Sequence, residues 1–212
     1  MKLKALSLSD CEQAREWRNS DLSMNRTPFL LTPEMQSKFY QEVICNRQAN
    51  ARYWGIWEEI KKECDSYFPN LSRRVQEEMP KTKTTSNIFI GMGEITNISL
   101  ENRNGEIGLL MHSGYTYIAE QAIDLILKQG FNYLNLDNIY GEVYECSAYY
   151  DLWKGIYRQY GDWKPTCNHP YSCECGMIKL PNRKYWQGKY YSSLYFNVNR
   201  EVWKECINLS KT

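Results

Sequence analysis

The sequence predicts one α/β domain: a mixed, mostly antiparallel twisted sheet with flanking helices. Three observations carry this. Strand and helix signals alternate along the chain, neighbouring strand signals are joined by turn signals that pair strands antiparallel, and one strand–helix–strand passage needs a crossover and hence a parallel pair. The 212 residues are about one and a half typical domain lengths, so a single domain over 1–212 with insertions is expected.

The elements follow in order. Lys2 to Leu8 alternates as a first strand, and Ser9 caps a helix in which Glu12 takes the capping-box position. Thr32-Pro33-Glu34 opens a second helix, with Met35, Phe39 and Val43 at four-residue spacing, that ends near Asn46. Arg52 to Trp57 and Asn87 to Leu100 are rich in β-formers, the second containing Gly91-x-Gly93, and should be antiparallel neighbours. Between them, 59–86 is polar, carries Pro69 and Pro80, and is read as an insertion between strands. Asn104-Gly105 has the composition of a two-residue hairpin turn leading into a strand from Glu106 to Met111. Ala119, Ala122, Ile123 and Ile126 then repeat at helical spacing, so a helix is expected from about Ile118 to Gln129, stopping at Gly130. A strand from Ile139 to Glu145 and a helix from Ser147 to Tyr160 complete the crossover. The last third is β-rich, with Gln187-Gly188 as a hairpin turn and a closing helix from Arg200.

Composition removes several function classes. Lys+Arg 26 against Asp+Glu 25 leaves a net charge of +1, so no global field draws the chain to a polyanion, and nucleic acid is not favoured as a partner. The basic pairs Lys61-Lys62 and Arg73-Arg74, with Tyr67-Phe68, could contact phosphate and stack a base. The same stretch holds Glu63, Asp65, Glu77 and Glu78, and a solvated flap is the plainer reading. Apolar runs are far shorter than the roughly 20 residues of a membrane span, and MKLKALSLSDCEQ is too polar for a secretory signal, so a cytoplasmic protein with no membrane partner is expected. There the eight cysteines stay reduced. Cys167, His169, Cys173 and Cys175, within 163–180, make up a Cys3His set, but the one-residue gap between the last two is tighter than zinc sites use, and reduced thiols in a Cys-containing hairpin or loop are the plainer reading. Aromatic residues reach 14%, with 17 Tyr and 7 Trp, enough to line a cleft as well as fill a core.

The order of these elements resembles the GCN5-related N-acetyltransferase fold, particularly its RimJ/RimL-like branch, over nearly the whole chain. The resemblance rests on Glu16-Trp17-Arg18-Asn19, Tyr53-Trp54-Gly55-Ile56, Phe89-Ile90-Gly91, Asn97-Ile98-Ser99, Glu106-Ile107-Gly108, the helix AEQAIDLILKQGF, NLDNIYGEV, and GKYYSSLYF before Glu201-Val202-Trp203. It implies a splayed central parallel strand pair, with acetyl-coenzyme A as co-substrate. The pantetheine arm would lie on the exposed edge of Leu109, Leu110 and Met111 as an added strand, with an amide near Met111 polarising the thioester carbonyl. The pyrophosphate would rest on amides of Tyr115, Thr116, Tyr117, Ile118 and Ala119 at a helix start. The base that takes the amine proton would be Glu106 or His112, with Glu94 a third candidate, and Tyr149 or Tyr150 the acid for the leaving thiolate. Trp17 and Arg18, with Glu94, would face the acceptor, a small-molecule or protein amine. Two departures stand out. Gly114-Tyr115-Thr116-Tyr117-Ile118-Ala119 replaces the family's glycine-rich anion loop, and Cys146 and Trp153 stand where the family has a cofactor-contacting Asn and its Tyr acid. Monomer and homodimer both remain open. Two other readings stay open as well: a transferase of this fold with a non-standard donor acting on a nucleobase or another unusual acceptor, and a noncatalytic binding protein.

Overall fold

The computed structural model describes residues 1–22, 29–64, 82–160 and 177–209. Strand β1 (Lys2–Lys4) leads into helix α1 (Leu8–Ser20), then helix α2 (Pro33–Phe39), which runs on as a π turn over Tyr40–Ile44. Strands β2 (Arg52–Cys64), β3 (Thr82–Ser99) and β4 (Asn104–Met111) form a meander. A 3-10 turn over Ser113–Ile118 enters helix α3 (Ala119–Lys128), which a π turn (Gln129–Tyr133) extends before strand β5 (Asn138–Tyr144). Helix α4 (Tyr150–Tyr160), strands β6 (Ile178–Trp186) and β7 (Lys189–Asn199) and helix α5 (Arg200–Leu209) close the chain. The seven strands lie in one sheet in the order β1-β2-β3-β4-β5-β7-β6. Among them β4–β5 is the one parallel pair, as the α3 crossover requires.

Period-two alternation, re-phased in β3 by a bulge at Ile90 where Ile56 pairs with Gly91 and Trp57 with Phe89, sorts the side chains onto two faces. Ile90, Ile95, Ile107 and Met111 point to one, where they pack with Ala122, Ile123 and Ile126 of α3, Ile156 and Tyr157 of α4 and Trp203 of α5. Ile123 and Ile126 are fully buried, and each contributes about 1.5–3 kcal/mol by leaving water. Phe89 and Met92 point to the other face, against Leu6 and against Cys11 and Ala14 of α1.

Several sequence expectations are corrected by packing. The cap of α1 is Ser7, not Ser9: its hydroxyl accepts from the Asp10 amide at 3.2 Å, and its own amide donates to the Asp10 carboxylate at 2.8 Å. Thr32 does cap α2. Asn104-Gly105 is not the hairpin turn: Asn104 already pairs with Ser99, and the chain reverses over the preceding residues, where Arg103 takes a φ of 50°. Gly105 serves close approach instead, since a Cβ there would lie 2.7 Å from Ile95. Gly130 likewise does not stop α3; it sits inside the π turn, where its missing side chain admits Ile139 and Ile95. Gln187-Gly188, at φ of 47° and 79°, is the expected tight hairpin turn. β2 and β3 pair out to Cys64↔Thr82, so both ends of the stretch read as an insertion over 59–86 belong to the ladder. Cys167, His169, Cys173 and Cys175 lie outside the described residues.

Candidate active site

β4 and β5 part company early. They pair at Asn104↔Asn138, Gly105↔Ile139 and Glu106↔Tyr140, and beyond that point β5 continues with β7 alone. The result is a wedge, closed at Glu106 and open at Met111, holding a cavity of about 210 Å³.

The phase of the β3–β4 ladder decides which backbone groups enter it. The His112 amide donates to the Ile90 carbonyl at 2.9 Å, and hydrogen-bonded positions alternate along an antiparallel pair. The backbone groups of Ile107, Leu109 and Met111 therefore turn away from β3 towards the wedge. The Met111 carbonyl is met there by the Tyr149 hydroxyl, donating at 3.3 Å.

Side chains divide the wedge into two mouths. Met92, Glu94 and Thr96 of β3 stand opposite Leu110, Gly108 and Glu106 of β4, so all share the α1 face, with Arg18 of α1 beside them. Glu142 and Tyr144 of β5 complete this mouth, which gathers three carboxylates, Glu94, Glu106 and Glu142. Glu106 is buried and accepts from the Asn97 amide group at 2.8 Å. Glu142 accepts from the Ser193 hydroxyl at 2.6 Å and pairs with Arg183 at 3.2 Å. Glu94 lies flat across Gly108, where a Cβ would overlap its carboxylate. Burial, together with the neighbouring Glu94 to which its hydroxyl is hydrogen-bonded, pushes the Tyr53 phenol well above its usual range. The opposite mouth is apolar: Ile107, Leu109, Val143, Tyr149, Trp153 and Phe196. Trp153 stacks on Phe196 at 5.3 Å and 27°, and Gly141 leaves room for the Phe196 ring to cross β5.

The residues singled out in the sequence divide accordingly. Arg18, Glu94, Glu106, Leu109, Leu110, Tyr149 and Trp153 line the wedge. Burial raises the Tyr149 phenol above its ordinary value, which keeps its proton in place near neutral pH. Tyr150, one residue on, is not among the lining residues, and Lys154 lies over its ring at 5.9 Å. Met111 is buried at the open end. His112 is outside the lining: its Nδ1 accepts from the Gly114 amide at 3.2 Å, which caps the 3-10 turn, and its ring meets Trp17 edge-on at 5.2 Å. Trp17 stacks on Phe89 at 5.2 Å and 17° and is not among the residues lining the cavity. Tyr115, Thr116, Tyr117 and Ile118 form the 3-10 turn itself, and Ala119 is the buried first residue of α3. Cys146 is half-buried, with no disulfide, and the lining residue beside it is Ser147. Sequence reasoning missed Glu142, Tyr144, Met92, Thr96 and Phe196. A signal existed for Glu142, a lone carboxylate inside an otherwise β-forming run.

Among the described residues no group of three or more His, Cys, Asp or Glu is placed to hold a metal ion, and no described helix is long and apolar enough to cross a membrane.

The sequence matches no protein-family model and no curated protein. The structure does match solved ones. A chimera of the spermidine N-acetyltransferase SpeG from Vibrio cholerae with hSSAT superposes with a TM-score of 0.63 at 15% identity, covering 98% of each chain. The Vibrio cholerae spermidine N-acetyltransferase in complex with CoA and spermine gives 0.63 at 15% identity, over 96% of this chain and 97% of that one. A dodecameric structure of the same enzyme in an intermediate state gives 0.60 at 16% identity over 94% of each chain. The mixed sheet with its single parallel pair and flanking helices is the fold of the GCN5-related N-acetyltransferases.

Proposed function

We propose that the chain is an acyl-coenzyme A-dependent N-acyltransferase that moves an acetyl-like group to a primary amine by direct attack within a ternary complex. One observation carries the reading: the wedge between β4 and β5 is acidic on one face of the sheet and apolar on the other, with β4 backbone beyond Glu106 that β5 does not pair lying between. An extended acyl-pantetheine arm suits the apolar side and the β4 edge, where it would add main-chain hydrogen bonds as an extra strand does. A protonated amine suits the three carboxylates. A structural neighbour bound to CoA and spermine supports both halves of this assignment.

Glu106, buried at the vertex of the wedge, is proposed as the base that takes the ammonium proton. The amine nitrogen then attacks the thioester carbonyl carbon, and an inward-facing amide of Leu109 or Met111 holds the developing oxyanion. The carbon–sulfur bond breaks as the attacking nitrogen gives up its second proton to solvent, leaving the neutral amide, and the thiolate takes the Tyr149 phenolic proton; solvent then reprotonates Tyr149 and takes the proton held by Glu106. Glu94 and Glu142 hold the cationic acceptor without taking part in proton transfer.

The test is acetyl transfer from acetyl-coenzyme A to monoamines, diamines and polyamines, followed by thiol release and product mass. Amine-dependent thiol release with N-acetylated product is expected, faster for acceptors carrying a second positive charge. Thiol release independent of every amine would overturn the reading.

A further inference from the structure

Among the described residues the wedge has one way out along its strands. Pairing at Glu106↔Tyr140 closes one end, so a long ligand threaded along β4 leaves past Met111, at the turn Ser113–Ile118. At that exit stands a run of rings continuous with the core. Phe89, only 6% exposed, carries Trp17 at 5.2 Å; Trp17 meets His112 at 5.2 Å, and His112 meets Tyr115 at 5.9 Å. Tyr115 in turn faces Tyr117 at 6.4 Å and 25°, close to parallel. The turn that presents the last two is pinned by its own backbone, since the Tyr115 amide donates to the His112 carbonyl at 2.9 Å and the Gly114 amide to His112 Nδ1. The run ends in solvent: Tyr117 is 77% exposed, although a tyrosine ring gains by burial.

We infer that Tyr117, backed by Tyr115, is a stacking platform for the purine base of the donor nucleotide. The inference rests on the acyl-coenzyme A reading above and adds to it the means by which the nucleotide end is held. Side chains now fill positions where close backbone approach to a diphosphate calls for glycine, while a π face accepts a base whatever its edge pattern. Binding energy is thus drawn from the base as well as from phosphate. Among the described residues Tyr117 belongs to neither core cluster, and its conservative replacement by Phe keeps the π face.

Calorimetric titration of coenzyme A and of 4′-phosphopantetheine, which lacks the adenosine, tests this with the wild type, Tyr117→Ala and Tyr117→Phe. Stacking of one base predicts that Tyr117→Ala weakens coenzyme A by about 5- to 100-fold, leaves 4′-phosphopantetheine unchanged, and that Tyr117→Phe restores coenzyme A to near wild-type affinity. Coenzyme A affinity indifferent to Tyr117→Ala would overturn the platform alone, and so would an equal loss for both ligands. A wild-type chain that binds neither ligand would overturn the donor reading, and the platform with it.

Discussion

Two glycines in the splayed pair do the same job for opposite ends. Gly108 of β4 lets the Glu94 side chain lie flat on the acidic face; Gly141 of β5 lets the Phe196 ring lie flat on the apolar one. The occupants differ in kind. Glu94 is a flexible chain ending in a carboxylate, whereas Phe196 is wedged between the rings of Trp153, at 5.3 Å, and Tyr157, at 6.3 Å. The difference teaches that the two mouths of the wedge have separate duties. The apolar mouth is continuous with the main core and supplies stability, while the acidic mouth gathers hydrogen-bonded and ion-paired carboxylates that lie apart from that core.

Variants can break that division. The largest effect is expected from Trp153→Ala, which empties a buried, stacked position and should cost about 3–5 kcal/mol in denaturant unfolding. Glu106→Gln comes next and should behave in the opposite way: kcat/KM for acetyl transfer falls on the order of a thousandfold, as loss of the proposed base implies, while the unfolding midpoint barely moves. A Glu106→Gln protein that unfolds easily would erase the distinction between the mouths. The glycines sharpen it further. Gly141→Ala should destabilise by about 1–3 kcal/mol, because a packed ring cannot yield, and Gly108→Ala by less than half of that, its main effect being a raised KM for the amine as Glu94 swings aside.

The smallest effect lies away from the wedge. Burial, aided by the nearby Glu120, holds the Asp124 carboxyl above its ordinary range, against a hydrogen bond from Tyr160 that lowers it. The native state then keeps a proton that the unfolded chain has released. The contribution of Asp124 to stability therefore falls as pH rises from the ordinary aspartate value through the raised native one. Asp124→Asn should flatten this slope, with denaturant midpoints nearer to one another at pH 4 and pH 7 than in the wild type; an unchanged slope would assign the pH dependence elsewhere.

Much of the fold was legible because period-two and helical apolar patterns fix element type. The α3 stripe of Ala119, Ala122, Ile123 and Ile126 lies where its spacing placed it, and all four are fully buried. Gly105 and Gly130 misled, because a turn glycine and a close-packing glycine look the same until the neighbour that occupies the missing Cβ is known. Here those neighbours, Ile95, Leu136 and Ile139, come from other strands and loops. The site was half legible for a related reason. Glu94, Glu106 and Tyr149 could be singled out by residue type and position, but Glu142 enters the wedge through the β4–β5 pairing and Phe196 through Gly141↔Phe196, long-range registers that local pattern does not encode. His112, a candidate base in the sequence, caps the 3-10 turn and lies outside the lining of the wedge.

Amide hydrogen exchange on β4 tests the central claim most directly. With saturating coenzyme A, the amides of Leu109 and Met111, which face the wedge, should exchange more slowly, while those of β2 and β3 that are already paired at Arg52↔Ile95 through Ile56↔Gly91 should keep their rates. Bound coenzyme A with unaltered exchange at Leu109 and Met111 would mean that the ligand sits elsewhere, and that the parting of β4 and β5 is not its seat.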